Sequence, residues 1–410
     1  MFKQFIMAAA LVMPFALSAQ EAEGKEKEEG YVFTTVKEIP VTSVKDQNNS
    51  GTCWCYSGLG FIEAELLRMG RGEYDLSEMY IVHKTYDDRA MAAVRTHGDV
   101  SFSQGGSFYD VIYGMKTFGL VPEEVMRPGV MYNDSLADHS ELSALTDAMV
   151  KAIAKGDHKM LQSNAENEML WAKAVKAVHD VYLGECPEEF TYNGKKYTPA
   201  TFYESLKLNP DDYVSLTSYT HHPFYEKFVL EIQDNWRWSQ CYNLPLDELM
   251  EVFDNAVENG YTIAWGSDVS EMGFRIGRKT GAVVLPDALN EEGGAGSDQS
   301  HWLGLSQEQK KAAYDEAAKH PTAQRWVSQE ERQLGFDNWT TTDDHGMLIY
   351  GTAKDQMGNE YYMVKNSWGD YNEYHGNFYV SKAFARYKTM NIVVHKDALP
   401  KNIKKALGIK

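Results

Sequence analysis

The feature that most constrains this 410-residue chain is an abrupt change of pattern at Cys53. Residues 47–52 are small or polar, whereas apolar residues recur at helical spacing immediately after Cys53. They are Leu59, Ile62, Leu66 and Met69, and Gly70 ends the run. This pattern predicts a helix with Cys53 at its N-terminus, where free backbone N–H groups and the helix dipole favour a thiolate. A lone cysteine in a helix is more often a small buried hydrophobe, so a reactive Cys53 needs partners elsewhere in the chain.

Partners of the required kind lie far downstream. His345 begins an apolar run that predicts a buried strand, residues 354–360 supply turn residues, and a second strand leads to Asn366. In a hairpin the start of one strand lies near the end of the other, so His345 and Asn366 are expected to be neighbours. This order predicts a nucleophilic Cys53, with His345 accepting the thiol proton and Asn366 fixing the orientation of the ring. We expect a thiolate–imidazolium pair.

Two further glycines are candidates for ligand contact. Gly105 and Gly106 precede a predicted helix with apolar residues at 111, 115 and 118. Paired glycines at a helix start permit close approach of a ligand to the backbone. Taken alone, they are more often an ordinary turn.

Composition and charge exclude several classes of protein. A hydrophobic content of 43% is sufficient for a sizeable core, and a formal charge of −19 argues against nucleic acid or an anionic membrane as a partner. Four cysteines are too few for a disulfide framework, although a Cys186–Cys241 bridge stays open. The sequence contains no recognisable metal or cofactor motif, and we expect neither; the pair His221-His222 is interpreted as surface or packing.

The first residues are typical of a targeting segment. Lys3 is followed by an apolar run over 5–17 and then by Ser18 and Ala19, which predicts a signal peptide over 1–19. The run is too short to predict a membrane span. We therefore expect export to the periplasm or the extracellular space. Residues 20–30 are predicted to form an acidic linker, and 31–400 the folded domain.

The intervening chain mixes both kinds of secondary structure. Two helices are predicted within 139–182, a hairpin over 190–197, and an amphipathic helix over 245–258. A buried strand follows over 261–265. The sequence therefore predicts a chain that contains both helices and strands.

These motifs together resemble those of papain-like cysteine peptidases. The segments that carry the resemblance are Gln47 to Trp54, Ser103 to Gly106, Thr341 to Met347, and Asn366 to Gly369. The resemblance implies a two-lobed α+β fold, with a helical lobe and an antiparallel β lobe, and a protein that acts on peptide substrates. It also implies an oxyanion hole formed by the Gln47 amide and the Cys53 N–H, and contacts of Gly105 and Gly106 with an extended substrate. Supporting roles fall to Trp54 and to Trp368, which covers the Asn–His hydrogen bond in that family.

The long separation between Cys53 and His345 resembles that of the bleomycin hydrolase and bacterial aminopeptidase C branch. We expect the extra chain, about 139–244, to be a helical insertion between the two halves. Many members of the branch are hexamers, and the terminal carboxylate of a long C-terminal arm holds the free amine of the substrate. Here residues 401–410 are a short basic tail. The resemblance implies an aminopeptidase, and the signal peptide predicts that it is exported. The alternatives are an endopeptidase of the same chemistry and an inactive binding protein on the same fold.

Overall fold

A computed structural model describes residues 30–157, 161–287, 302 and 304–410 of the chain. The predicted signal peptide and almost all of the predicted linker lie outside these residues. Among the described residues, no helix has the length and apolar character needed to cross a bilayer.

Helices dominate the first half of the described chain. Their starts follow local capping rules: the Ser77 hydroxyl accepts from the Tyr80 N–H, Ser107 and Asp110 form a capping box, and Pro199 occupies the first turn of its helix. The helices of this half are α1 (Cys53–Arg68), α2 (Glu78–Arg95), α3 (Phe108–Thr117), α4 (Ser140–Ala154), α5 (Leu170–Leu183) and α6 (Pro199–Leu206). Those of the second half are α7 (Leu246–Glu258), α8 (Met272–Thr280), α9 (Gln307–Ala317), α10 (Gln329–Asp337), α11 (Lys382–Lys388) and α12 (Lys401–Ala406).

A ten-stranded mixed sheet runs through the molecule in the order β5-β6-β4-β12-β7-β9-β10-β11-β8, with β1 pairing with β9. Its strands are β1 (Thr34–Glu38), β4 (Tyr213–Thr217), β5 (Lys227–Val229), β6 (Gln240–Asn243), β7 (Ile263–Ser267), β8 (Ala282–Val283), β9 (His345–Lys354), β10 (Glu360–Lys365), β11 (Asn377–Ser381) and β12 (Thr389–His395). The separate hairpin of β2 (Phe190–Tyr192) and β3 (Lys195–Tyr197) turns at Asn193 and Gly194, whose φ angles are 48° and 73°. This turn matches the predicted hairpin.

The sheet separates two hydrophobic clusters because successive side chains of a strand point to opposite faces. Ala264 and Leu348 belong to the cluster that contains the buried side of α1, α2 and α3. Their neighbours in sequence, Trp265 and Met347, belong to the cluster that contains α7, α11 and α12. The central strands are therefore covered on both faces, with α1 on one side and α7 on the other.

The predicted helical insertion over about 139–244 differs from the structure in its second part. Helices α4, α5 and α6 lie within 140–206, but 213–243 contains β4, β5 and β6, which join the main sheet. Strand β4 pairs with β12, a partner more than 170 residues away. Such strands are determined by long-range pairing, which the local sequence pattern does not reveal.

The predicted tail also differs from the structure. Residues Lys401–Ala406 form α12, and Ile403 and Leu407 are buried in the cluster that contains α7. Apolar residues four positions apart give this short basic segment one buried face. The four cysteines are free, so Cys186 and Cys241 do not pair.

Candidate active site

Cys53 is the first residue of α1, as the sequence predicts. The preceding Thr52 does not cap the helix with its side chain, which is hydrogen-bonded to Ser50 instead (2.6 Å between the hydroxyl oxygens). The Cys53 sulfur receives the Gly346 N–H at 3.5 Å. The start of α1 thus meets the start of β9, and the thiol lies at a helix end whose first N–H groups have no side-chain cap.

His345 and Asn366 are neighbours because β9 and β10 form the predicted hairpin. The His345 Nε2 atom lies 2.7 Å from Asn366 Oδ1. The Trp368 ring stacks on the His345 ring, with centroids 4.8 Å apart and planes 27° apart. Cys53 and His345 line one small cavity. The structure therefore brings together the three side chains that the sequence selected for nucleophilic chemistry, with Trp368 covering the hydrogen bond between two of them.

The electrostatics of this pair differ from the expected thiolate–imidazolium state. Burial raises the pKa of the Cys53 thiol to about 12, and Asp234 and Asp343 add to the effect, against the opposing N–H groups of Gly346 and Trp54. Burial also lowers the pKa of His345 to about 4, against the hydrogen bond to Asn366. Both shifts favour the neutral forms, because burial penalises charge and two acids repel a thiolate.

Gln47 lies beside the loop that precedes Cys53. Its amide nitrogen donates to the Ser50 carbonyl at 2.7 Å, and its amide oxygen accepts from the Ser367 hydroxyl at 2.6 Å. Because the Ser50 carbonyl can only accept, this orientation of the amide is required. The nitrogen carries two N–H bonds, and one of them remains for a ligand.

Gly105 and Gly106 lie at the cleft, where neighbouring groups leave no room for side chains. A Cβ on Gly106 would lie 2.8 Å from Trp54 Cε2, and one on Gly105 would collide with the Asp234 carboxylate. Trp54 is itself fixed by its N–H, which donates to the Gln104 carbonyl at 3.0 Å. The fully buried Arg89 donates to the Gly105 carbonyl. The two glycines therefore form a tightly held backbone edge.

Three carboxylates lie near the cleft, and the sequence analysis did not identify Asp234 among them. Asp234 lies on the 230–239 loop, which joins β5 to β6, and lines the cavity with Asp343 and Asp344. Arg89 pairs with Asp234, the Arg89 Nη1 to Asp234 Oδ1 distance being 3.6 Å. Asp344 is a turn residue that accepts the N–H groups of Val269 and Ser270 at 3.1 Å. No local motif marks Asp234, because the loop reaches the cleft only through the sheet.

Arg237 fastens this loop to the helices. Its guanidinium donates to Asp110 on α3 at 2.6 Å and to Asp88 on α2 at 2.8 Å. The cavity under the loop is small, about 30 Å³. It is lined by Cys53, Trp54, Gly106, Ser107, Phe108, Ile232, Asp234, Gly266, Asp343, Asp344, His345, Gly346 and Asn391.

A cysteine at a helix start, facing a histidine and an asparagine on a β-hairpin within an α+β fold, defines a papain-like cysteine peptidase. Comparison with known proteins agrees. The sequence model of the Peptidase C1-like family matches residues 80–285 and 329–409, which include His345 and Asn366. The chain belongs to the Peptidase C1-like family.

Relatives and solved structures extend the similarity to most of the chain. Aminopeptidase G of Lactobacillus delbrueckii subsp. lactis is 24% identical, over 92% of this chain and 86% of that protein. Aminopeptidase C of Streptococcus thermophilus is 22% identical, over 93% of this chain and 86% of that protein. The crystal structure of PepW from Lactobacillus rhamnosis HN001 superposes with a TM-score of 0.66 at 19% identity, over 92% of this chain and 84% of that one. The predicted papain-like α+β fold is thereby confirmed.

Proposed function

We propose that this cysteine peptidase is an aminopeptidase, which hydrolyses the peptide bond next to a free N-terminal amine. In this proposal Cys53 is the nucleophile, His345 the general base and acid, and Asn366 the residue that orients the imidazole. The names of the relatives, aminopeptidase G and aminopeptidase C, support the substrate class. The shape and charge of the cleft support it independently.

The hydrogen bond from His345 Nε2 to Asn366 Oδ1 supports the assigned roles, because it leaves Nδ1 to accept a proton. Nδ1 takes the thiol proton, the sulfur attacks the peptide carbonyl carbon, and His345 then protonates the nitrogen as the C–N bond breaks. Water hydrolyses the resulting thioester with His345 again as the base. Because burial favours the neutral forms of Cys53 and His345, we propose that proton transfer accompanies the attack rather than preceding substrate binding.

The oxyanion of each tetrahedral intermediate needs hydrogen-bond donors in place before the reaction. We assign this role to the remaining N–H of the Gln47 amide and to the backbone N–H of Cys53. The bonds from Gln47 to Ser50 and Ser367 support it, because they hold the amide rigid. A donor of this kind contributes about 3–4 kcal/mol to transition-state stabilisation in comparable acyl-transfer sites.

The observation that carries the aminopeptidase proposal is the presence of Asp234 and Asp343 beside Cys53. Asp343 has no hydrogen bond or cationic partner among the described residues, and Asp234 has one cation, Arg89. Burial, Asp234 and Asp344 raise the pKa of Asp343 to about 8, so this carboxyl holds its proton at neutral pH until a cation binds beside it. An ammonium group would pair with these carboxyl groups in their charged form, whereas a blocked amine would leave them without a partner. Asp234 also occupies the space that a side chain on Gly105 would fill. It therefore blocks a longer substrate on that side of the cleft.

The described residues of the tail do not supply a carboxylate that could hold the amine of a substrate. Thr389 pairs with Ser267, which pairs with His345, so the start of β12 lies at the active-site end of the sheet. The tail follows the opposite end of β12 and packs through Ile403 against the α7 side. We therefore propose that side chains of the 230–239 loop and of the turn before His345 recognise the amine in this protein.

The test compares fluorogenic aminoacyl substrates that have a free amine with the same substrates acetylated at the amine. We expect turnover of the free-amine substrates by purified protein under mild reductant, weak turnover of the acetylated ones, and neither with Cys53→Ala. Equal turnover of both kinds would contradict the proposal and indicate an endopeptidase. Absence of Cys53-dependent turnover of any peptide would indicate an inactive binding protein.

We propose two further properties of the protein, its export and its assembly. We propose export to the periplasm or the extracellular space on the basis of the sequence of residues 1–19, which lie outside the described structure. Cell fractionation with N-terminal sequencing tests it, and a cytosolic protein that retains Met1 would contradict it. Assembly into a hexamer, which the resemblance implies, is tested by light scattering of the purified protein.

A further inference from the structure

A second group of reactive side chains lies away from the cleft, between α2 and α5. His83 and Asp87 are one helical turn apart on α2, and His179 faces them from α5. One ligand atom of each lies within 4.8 Å of the others. His83 and His179 are fully buried, whereas the Asp87 side chain is 27% exposed. Two imidazoles and one carboxylate thus converge at a point that solvent reaches through Asp87.

The two distances that join the histidines to Asp87 are close to those between the ligands of a metal ion. The Asp87 carboxylate lies 3.4 Å from His83 Nδ1 through one oxygen and 2.7 Å from His179 Nδ1 through the other. Ligands of a tetrahedral Zn²⁺ with bonds of about 2.0–2.1 Å are separated by roughly 3.3 Å. The first pair already has this separation, and the second has a hydrogen-bond length that a small side-chain movement would open.

The hydrogen bonding of His83 also indicates a cation site. Its Nδ1 is buried and makes no hydrogen bond, although it faces a carboxylate. Its Nε2 lies 2.9 Å from Asp180, and Asp180 is held by Lys176 at 2.7 Å. A carboxylate on the far nitrogen of a histidine is the usual outer partner of a metal ligand, because it fixes the ring and raises its basicity. Buried nitrogens that make no hydrogen bond are uncommon in folded proteins.

We propose that His83, Asp87 and His179 bind a divalent transition-metal ion, for which Zn²⁺ is the best match, and that the ion joins α2 to α5. Two imidazoles and a carboxylate suit Zn²⁺, whereas Mg²⁺ and Ca²⁺ prefer oxygen ligands. The fourth coordination position is left for water. Nothing in the proposed peptidase chemistry uses this ion, so its role is to stabilise the fold.

The test is calorimetric titration of ZnCl₂ into the full chain after chelator treatment. The protein carries Cys53→Ala, because a free catalytic thiol would itself bind zinc. We expect one Zn²⁺ per chain, no comparable binding of Mg²⁺, and an increase in Tm of several degrees when Zn²⁺ is added. His179→Gln should weaken Zn²⁺ binding at least tenfold, and Asp180→Asn about 10–100-fold.

Two control variants locate the ion. His139→Gln alters another buried histidine, which contacts Tyr86 rather than Asp87, and should retain the zinc. His222→Gln alters a second group, in which His221 and His222 contact Glu231 at the surface, and should also retain it. Loss of zinc in His222→Gln but not in His179→Gln would overturn the proposal. So would the absence of binding to the folded Cys53→Ala protein, a result that does not depend on any ligand variant folding.

Discussion

Replacing Asp234 by Asn removes one charge from the cleft while keeping an acceptor for Arg89. Two unit charges about 4 Å apart interact by about 4 kcal/mol at an effective dielectric constant of about 20. The Asp234 side chain is 30% exposed and already faces Arg89 at 3.6 Å, so solvent and that cation both reduce its attraction for an amine. We expect a loss of about 1–2 kcal/mol of binding to an ammonium group. This corresponds to a roughly 5–30-fold fall in kcat/KM for free-amine substrates.

The assay is steady-state hydrolysis of one aminoacyl fluorogenic substrate and its acetylated form by the wild type and the variant. The effect should fall mainly on KM of the free-amine substrate and should be absent for the acetylated one. Asp211→Asn is the matched control, because Asp211 is 81% exposed and lies in a surface pair with Lys116. An equal fall for both substrates would refute the reasoning, since it would mean that Asp234 maintains the shape of the cleft and does not bind the amine.

Three other predictions concern the hairpin, the glycine edge and a buried ion pair. Burial lowers the pKa of His345 to about 4, so the ring stays an unprotonated base above that pH. The value of kcat/KM should therefore fall as the pH drops through about 4. A fall in kcat/KM near the ordinary pKa of histidine would contradict this. Gly106→Ala places a Cβ 2.8 Å from Trp54 and should lower kcat/KM up to about 100-fold for free and blocked substrates alike, which the same assay measures. Lys388→Met leaves the buried Asp268 without its cation at 3.1 Å and should lower the free energy of unfolding in urea by about 3–5 kcal/mol; a loss below about 1 kcal/mol would contradict it.

The sequence predicts those parts of the site that depend on local patterns. The helix from Cys53 is defined by apolar spacing, and the neighbourhood of His345 and Asn366 follows from hairpin geometry alone. In each case the residues that determine the structure are adjacent along the chain. Helical periodicity and turn composition are therefore sufficient to place them.

Other parts depend on contacts between distant segments. The strands β4, β5 and β6 join the sheet through the pairing of β4 with the distant strand β12. The local sequence pattern does not contain this pairing, so it predicted a helical insertion and gave no sign of the loop with Asp234 between β5 and β6. The raised pKa of Cys53 results from burial and from the nearby acids Asp234 and Asp343, neither of which appears in the motif around the cysteine. The docking of α12 likewise depends on a surface formed by α7.

The two contacts of Arg89 restrict which substitutions this cleft can tolerate during evolution. The same buried guanidinium holds the Gly105 carbonyl and pairs with Asp234. An apolar replacement of Asp234 would open the cleft to longer substrates. It would also leave the buried Arg89 without its carboxylate and destabilise the protein. Replacing Arg89 first would release the backbone edge on which any substrate must lie. A change of substrate length in this lineage therefore requires coordinated substitutions at both positions, and single mutants should be poor intermediates.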